Sequence, residues 1–399
     1  MTTIFDTVPL GSEVKFLSGG TPRMNDPRYW DGTIPWVSSG EMTQDRICNT
    51  ERKVTPEGAK NGTRLVPANT VLVVVRGMSL AKEFRVSIST CELTFNQDVK
   101  ALIPSSKIDG VFLYYYLKSQ SRRIKDSSTE ASHGTKKLEM AVLYNWPLPA
   151  INTDKQKTIV DILSTYDDLI ENNRRRIALL EQSARLLYQE WFVRFRFPGH
   201  EKVKIVDGVP EGWTPLCLGD LVKQIKAAIK PEKIDINTPY IGLEHIPRRS
   251  FTLSTWTTAN EIESQKFQFQ QRDFLLCKIR PYFHKVGFTL TSGVTSSDAI
   301  VMRVSEEKYW HVALMTISSD HFISVASKTV KEGSKMPRAD WQILKKYSTP
   351  IPPSTLLEKF SETIESICQQ CQNLSSQIAQ LAAARDLLLP RLMSGEIAV

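Results

Sequence analysis

From Asp154 to Phe192 the chain reads DKQKTIVDILSTYDDLIENNRRRIALLEQSARLLYQEWF, without one proline or glycine. A run with no turn chemistry inside it predicts one long helix. Its positions Ile159, Ile162, Tyr166, Leu169, Asn173, Ile177, Leu180, Ala184, Leu187 and Trp191 step by 3 or 4, the spacing of a coiled-coil seam with one irregular step at Asn173 to Ile177. A second run repeats the pattern more regularly. Leu357, Phe360, Ile364, Ile367, Cys371, Leu374, Ile378, Leu381, Arg385, Leu388 and Leu392 alternate 3 and 4 without a break, through Pro390. Each stripe is narrow and suits one partner helix, so the two are expected to pair with each other, antiparallel. Roughly 38 residues at 1.5 Å per residue make a rod of about 57 Å, which would hold apart whatever is attached to its ends.

What precedes the helices is duplicated as well. Trp146-Pro147-Leu148-Pro149 returns as Thr349-Pro350-Ile351-Pro352, each leading into a long helix. Thr7-Val8-Pro9-Leu10-Gly11 resembles Thr214-Pro215-Leu216-Cys217-Leu218-Gly219, and Ile34-Pro35-Trp36-Val37 parallels Thr238-Pro239-Tyr240-Ile241. The β-rich run Thr70 to Gly77 parallels Asp273 to Arg280, with an arginine at the end of each apolar pattern. The expected fold class is α+β: two similar mixed α/β modules separated by two long helices that pair as an antiparallel coiled coil. The expected division is residues 1–150 for the first module, 151–197 for the first spacer helix, 198–350 for a linker and the second module, and 351–399 for the second helix and tail.

With 399 residues, 41% hydrophobic and 24% charged, the chain has ordinary globular composition and enough apolar surface for real cores. No apolar stretch approaches a membrane span and the first residues lack the pattern of a signal peptide. Six scattered cysteines do not form a disulfide framework, which fits a reducing cytoplasm. Motifs for phosphate loops, dinucleotide folds, zinc proteases and serine hydrolases are all missing, and the six histidines lack ligand spacing. Cys368-x-x-Cys371 falls inside the heptad helix and reads as core packing rather than metal or redox chemistry. Asp167 and Asp168, beside Glu171, read as a solvated helix face.

Lys and Arg exceed Asp and Glu by 51 to 43, giving a net charge of +8 and favouring a polyanionic partner. Two basic segments and one uncharged-to-acidic polar segment recur in both modules. Arg76, Lys82 and Arg85 follow the first apolar strand, and Lys278, Arg280 and Lys285, interleaved with Tyr282, Phe283 and His284, follow its counterpart. Cations on a loop after a strand can reach phosphates or a guanine edge; solvation of a loop is the plain alternative. Asn96 and Gln97 could read adenine, with Ser296, Ser297 and Asp298 in the corresponding stretch, and strand-end hydrogen bonding is an equal alternative. Gly134-Thr135-Lys136-Lys137 and Gly333-Ser334-Lys335-Met336-Pro337-Arg338 precede the two helix lead-ins and suit backbone phosphate contacts or capped turns equally.

Taken together, the layout and several motifs resemble the specificity subunit of type I restriction-modification systems over nearly the whole chain. The residues that carry the resemblance are Ser18-Gly19-Gly20-Thr21-Pro22 followed by Tyr29-Trp30-x-Gly32-x-Ile34-Pro35-Trp36, the lead-in with Gln156 and Ile159, and Leu180-Glu181 running to Trp191-Phe192-Val193. Leu388-Leu389-Pro390-Arg391-Leu392-Met393-Ser394-Gly395-Glu396-Ile397 completes the set. Departures are Ala150 where a second proline is common, Asp154-Lys155-Gln156 in place of Glu-Gln, and Lys359 after Glu358.

The resemblance implies two target recognition domains, each reading one half of a split, asymmetric site on double-stranded DNA. It also implies two helices that space the domains and dock two methyltransferase subunits, with restriction subunits joining the complex. The residues expected to pair the helices and dock partners are Ile162, Tyr166, Leu169, Ile177, Leu180, Ile364, Ile367, Leu374, Ile378 and Leu381. Catalysis would then reside on the partners, which would hold S-adenosylmethionine, ATP and magnesium, and this chain would carry no cofactor. Two other readings of the residues stay open: a coiled-coil scaffold with protein-binding modules, and an unrecognised DNA-modifying enzyme.

Overall fold

The computed structural model describes residues 5–131, 135–329 and 338–399. The chain divides into two units, one of residues up to Asp168 together with Leu381–Val399, the other Leu169–Gln380. The long helices Thr153–Tyr188 and Ser354–Ser394 each contribute to both units. Among the described residues no helix is long and apolar enough to cross a membrane.

The first unit is built on a five-stranded sheet in the order Val14–Ser18, Val99–Pro104, Val71–Val74, Val86–Ser89, Arg46–Ile47. The central strand is buried along its whole length. The period of two explains how that is done: Val71 and Val73 face one core with Val86, Ile88, Leu102 and the helix Gly110–Ser119, while Leu72 and Val74 face a second core with Leu93, Phe95, Val99 and Ala101. Asp109 starts that helix by accepting the backbone N–H groups of Val111 and Phe112. Beside this sheet lies a four-stranded one containing Trp30–Val37.

The second unit repeats the plan. Its five-stranded sheet runs Val222–Ile225, Ala299–Val304, Phe274–Cys277, Val286–Thr289, Thr252–Leu253. In both sheets the last pair is parallel and the others antiparallel. Phe274 and Leu276 face one core and Leu275 the other. The Pro-rich lead-ins also have one job in both copies: Pro147–Pro149 pairs with Thr7–Pro9, and Ser348–Ile351 with Thr214–Cys217, so the start of each long helix is fixed to the start of its module.

Within each unit the long helices run antiparallel. In the first, Ile159 and Leu163 share a core with Leu389, Leu392 and Met393. In the second, Asn173 donates to Gln377 at 3.2 Å and Tyr188, Phe192 and Trp191 close on Phe360. The second helix buries Leu357, Phe360, Ile364, Cys368, Cys371, Leu374, Arg385, Leu389 and Leu392, nearly the expected stripe; Ile364 and Leu374 are fully in it, and Ile367, Ile378 and Leu381 are half-buried at its margin. Cys368 and Cys371 are core residues, and among the described residues no group of side chains could hold a metal ion.

On the first helix Ile159, Asn173, Ala184 and Trp191 are buried as apolar counting expects, but between them the buried positions lie one residue later. Leu163, Asp167, Ile170, Glu181 and Tyr188 are buried, whereas Leu169 is 46% exposed and Ile162, Tyr166, Ile177 and Leu180 are half-buried. Asp167 is thus no solvated residue: it is ion-paired to Arg385 and accepts the hydroxyl hydrogen of Tyr115 at 2.7 Å. Glu181 accepts from Ser250 Oγ and from the backbone N–H groups of Phe251 and Thr252 at 2.9–3.1 Å. Polar residues enter this seam because each has partners waiting, which removes the usual cost of burying them.

Candidate nucleic-acid interface

The loop between two adjacent central strands is the natural outlet of each sheet. In the first unit it runs from Val75 to Arg85, and in the second from Lys278 to Lys285. Three main-chain hydrogen bonds recur around them. Val75 N donates to Asp98 O as Lys278 N does to Asp298 O; Leu138 N donates to Val75 O as Ala339 N does to Lys278 O; Val74 N donates to Arg85 O as Cys277 N does to Lys285 O. Segments that are separate in sequence therefore meet at one edge of each module, the third being described in the second module only from Arg338. In the first unit they form a three-stranded patch, with Arg76–Gly77 paired to Lys136–Lys137, and Lys136–Lys137 to Thr129–Glu130. In the second, a bridge joins Ile279 to Arg338 among the described residues.

These bonds set the two loops in the same register as the sequence repeat. Arg76 matches Ile279, and Gly77 matches Arg280. Both of the latter have positive φ, +135° and +50°. His284, at φ +55°, closes the second loop. A left-handed conformation costs a non-glycine residue roughly 1–2 kcal/mol, so the Arg280 and His284 turns need support. They have it: His284 is buried, its Nε2 lies 2.9 Å from Ser318 O, and its carbonyl accepts from Arg249 N at 2.9 Å. Burial pushes the His284 imidazole below its ordinary pKa, against the pull of the Ser318 carbonyl and Asp320.

Among the expected contact residues, Arg76, Lys82, Lys137, Arg280 and Tyr282 are exposed, and Lys136 is half-buried. Lys137 lies 3.0 Å from Glu139. Arg85 is committed to Glu83 and to Ser39 O, and Lys285 donates to Leu243 O at 2.6 Å. Lys278 donates to Ser297 O at 2.7 Å. Burial pushes its amine below the ordinary lysine pKa; Asp298 opposes this, while the like charges of Arg338 and Lys226 add to it. Arg338 is paired to Asp298 at 3.0 Å. Lys335 lies outside the described residues, as do Gly134 and Gly333.

Asn96 lies at the end of its strand. It is buried, and its Oδ1 accepts the N–H of Asp98 at 3.1 Å. Ser296 Oγ does the same for Asp298 N at 3.2 Å. Strand-end hydrogen bonding, the alternative left open above, is what both side chains do in the structure. Gln97 is exposed and its Oε1 accepts from Thr21 Oγ1, whereas Ser297 is exposed and offers its carbonyl to Lys278.

Sequence reasoning passed over three residues at these edges. Met78 is 74% exposed next to Gly77. Arg248 places its guanidinium 4.1 Å from the centre of the Phe283 ring, and Lys226 is exposed close enough to Lys278 to perturb it. The Arg248-Arg249 pair was the one available signal, since nothing local ties Met78 or Lys226 to a site.

Residues 5–182 match the type I restriction modification DNA specificity domain. The chain is 26% identical to the type I restriction enzyme MjaIX specificity subunit of Methanocaldococcus jannaschii, an alignment covering 96% of this chain and 90% of that one. It is 30% identical to the EcoR124I/EcoR124II specificity subunit of Escherichia coli over about half of each chain, 49% in both cases. The fold is that of the S subunit of the M. genitalium type I restriction-modification system, at a TM-score of 0.55 and 15% identity, with 98% of this chain and 99% of that one covered. Residues 5–182 thus carry the type I restriction modification DNA specificity domain, and over nearly its whole length the chain is similar to a type I restriction enzyme specificity subunit.

Proposed function

We infer that this chain selects the DNA sequence on which a type I restriction-modification complex acts, reading a split, asymmetric target with two recognition modules. The observation that carries this is the recurrence of one basic edge, built by the same main-chain bonds, with different side chains on it in the two units. Equal scaffolds with unequal side chains are what two different half-sites require. We retain the module division of residues 1–150 and 198–350, with the long helices as spacers. Their length makes half-site separation a property of the protein, because a rod of about 57 Å exceeds one DNA turn of about 34 Å.

The contacts proposed for the first half-site are Arg76, Lys82, Lys136 and Lys137, with Gln97 and Arg85 supporting; those for the second are Arg280, Tyr282, Lys278, Lys335 and Arg338, with Lys285 and Ser297 supporting. Two methyltransferase subunits would dock on the long helices, where Leu179 and Leu186, seven residues apart on one face, are more than half exposed. In this reading the methyl transfer and cleavage belong to the partner subunits, which carry S-adenosylmethionine, ATP and magnesium, and the present chain supplies the address.

The test is methylome sequencing of a methylation-free host carrying this chain with its modification subunit, against the modification subunit alone. An asymmetric, gapped methylated motif that depends on this chain is the expected result. A soluble complex that methylates no such motif overturns the reading.

A further inference from the structure

Each basic edge carries one large side chain that its surroundings do not explain. In the second module Pro281, Tyr282 and Phe283 form a single turn between two left-handed residues, Arg280 and His284. Phe283 N donates to Arg280 O and His284 N to Pro281 O, both at 2.9 Å. Pro281 and His284 are buried beneath the turn. Phe283 is covered by Arg248 at 4.1 Å, with Arg280 at 6.0 Å from the same ring. Tyr282 is the residue left over: it is 56% exposed, touching only the edge of Phe283 at a centroid distance of 4.9 Å among the aromatic rings. Strain of this kind persists only where the surroundings over-determine it, and its effect here is to hold one aromatic ring out among cations.

The first module reaches the same outcome by cheaper means. Gly77 takes the left-handed position without penalty, and Met78 follows it, 74% exposed, between Arg76 and Lys82. Two divergent copies thus keep an apolar side chain at the centre of a basic edge, at a place where solvation favours a polar one.

We propose that Tyr282 and Met78 are the base-contacting residues of their modules, pressing apolar surface against base edges while the surrounding cations hold the phosphates. The inference rests on the reading of these edges as DNA-binding. Cations held on phosphates fix position without reporting sequence, whereas an apolar side chain meets the thymine methyl group and the exposed base edge and so discriminates. Arg248 is a positioning residue, since it acts by covering Phe283 and thereby fixing the turn. Tyrosine, with two side-chain torsions and a rigid ring held by the turn, discriminates more than the flexible methionine.

The experiment uses the full chain assembled with its modification subunits and measures binding to three duplexes: the complete site, a site with one half scrambled, and unrelated DNA. For Tyr282→Ala, affinity for the complete site falls about tenfold, the size of one lost base contact, with affinity for unrelated DNA and discrimination at the other half-site unchanged. Tyr282→Phe keeps wild-type discrimination, Met78→Ala lowers it about threefold at the opposite half-site, and Arg248→Ala reproduces Tyr282→Ala in weaker form. Equal loss on all three duplexes, no loss at all, or loss of the assembled complex overturns the proposal. Failure of the underlying reading looks different, because the wild-type complex would then show no preference among the duplexes.

Discussion

The two halves of the long helices solve the same packing problem with different chemistry. A constant shift in numbering carries Ile159 onto Phe360, Leu163 onto Ile364, Ile170 onto Cys371 and Tyr188 onto Leu389, and all of these are buried. The same shift carries Asp167 onto Cys368 and Ala184 onto Arg385. So the first unit holds the Asp167–Arg385 ion pair at a layer where the second unit buries Cys368 and Ala184. The ion pair is embedded further: Arg385 also meets Asp45 at 3.6 Å, and Asp45 meets Lys118 at 2.5 Å, tying the recognition sheet to the helix. The second unit buries Glu181 on Ser250 and two backbone N–H groups instead of on a buried counter-charge, and holds a further cluster at the flank. There Glu365 accepts from Arg272 and lies 2.7 Å from His311 Nε2, half in solvent. A buried pair is retained only if both members stay, so the first unit is the more fragile to single changes and the second the more responsive to pH.

The largest expected effect breaks the seam. Arg385→Ala leaves Asp167 buried without its counter-charge and should cost about 3–5 kcal/mol. Importing the other unit's pair, Asp167→Cys with Arg385→Ala, should cost clearly less, about 1–3 kcal/mol for the Tyr115 hydroxyl left without its acceptor. Denaturant melts of the three proteins check this; a double variant as unstable as the single one would remove the contrast between the units.

A smaller effect sharpens the flank. Burial raises the pKa of Glu365, but hydrogen bonds from Arg272, His311 and Gln369 outweigh it and hold the carboxyl at about 2. A depressed carboxylate contributes stability that is complete above its unfolded pKa of about 4.5. That contribution is lost as the pH falls from there toward 2. Glu365→Gln should flatten this part of the acid unfolding curve, and an unchanged acid limb would show that the cluster is not coupled to folding. The smallest effect tests the edges. Arg280→Gly gives the second module the glycine of the first and should stabilise by about 0.5–1 kcal/mol, the relieved strain less the added chain entropy. Gly77→Ala, at φ +135°, should destabilise by about 1–2 kcal/mol. A denaturant midpoint that moves the same way for both would show that the two turns are not equivalent.

Much of this architecture is local and so was legible early. Helix Thr153–Tyr188 follows from the absence of breakers, and the second helix's seam from regular spacing. The strand at Val71–Val74 and its counterpart follow from short apolar runs bounded by turn residues. Spacing puts Asn96 and Ser296 in corresponding stretches, but their role as turn-closing acceptors depends on the folded strand ends.

The sequence by itself determined that the chain is a duplication of one mixed module and one long helix, because period and repeat depend only on neighbours along the chain. Which stripe of the first helix is buried was decided only in three dimensions. Asp167 enters the seam because Arg385, 218 residues away, meets it there, and Leu169 stays out although it is the more apolar residue. The same holds for the basic edges, where segments separated by tens of residues come together through hydrogen bonds between strand ends. A polar group is stable inside a protein only when its partners arrive with it, and the arrival of distant partners is a property of the folded chain.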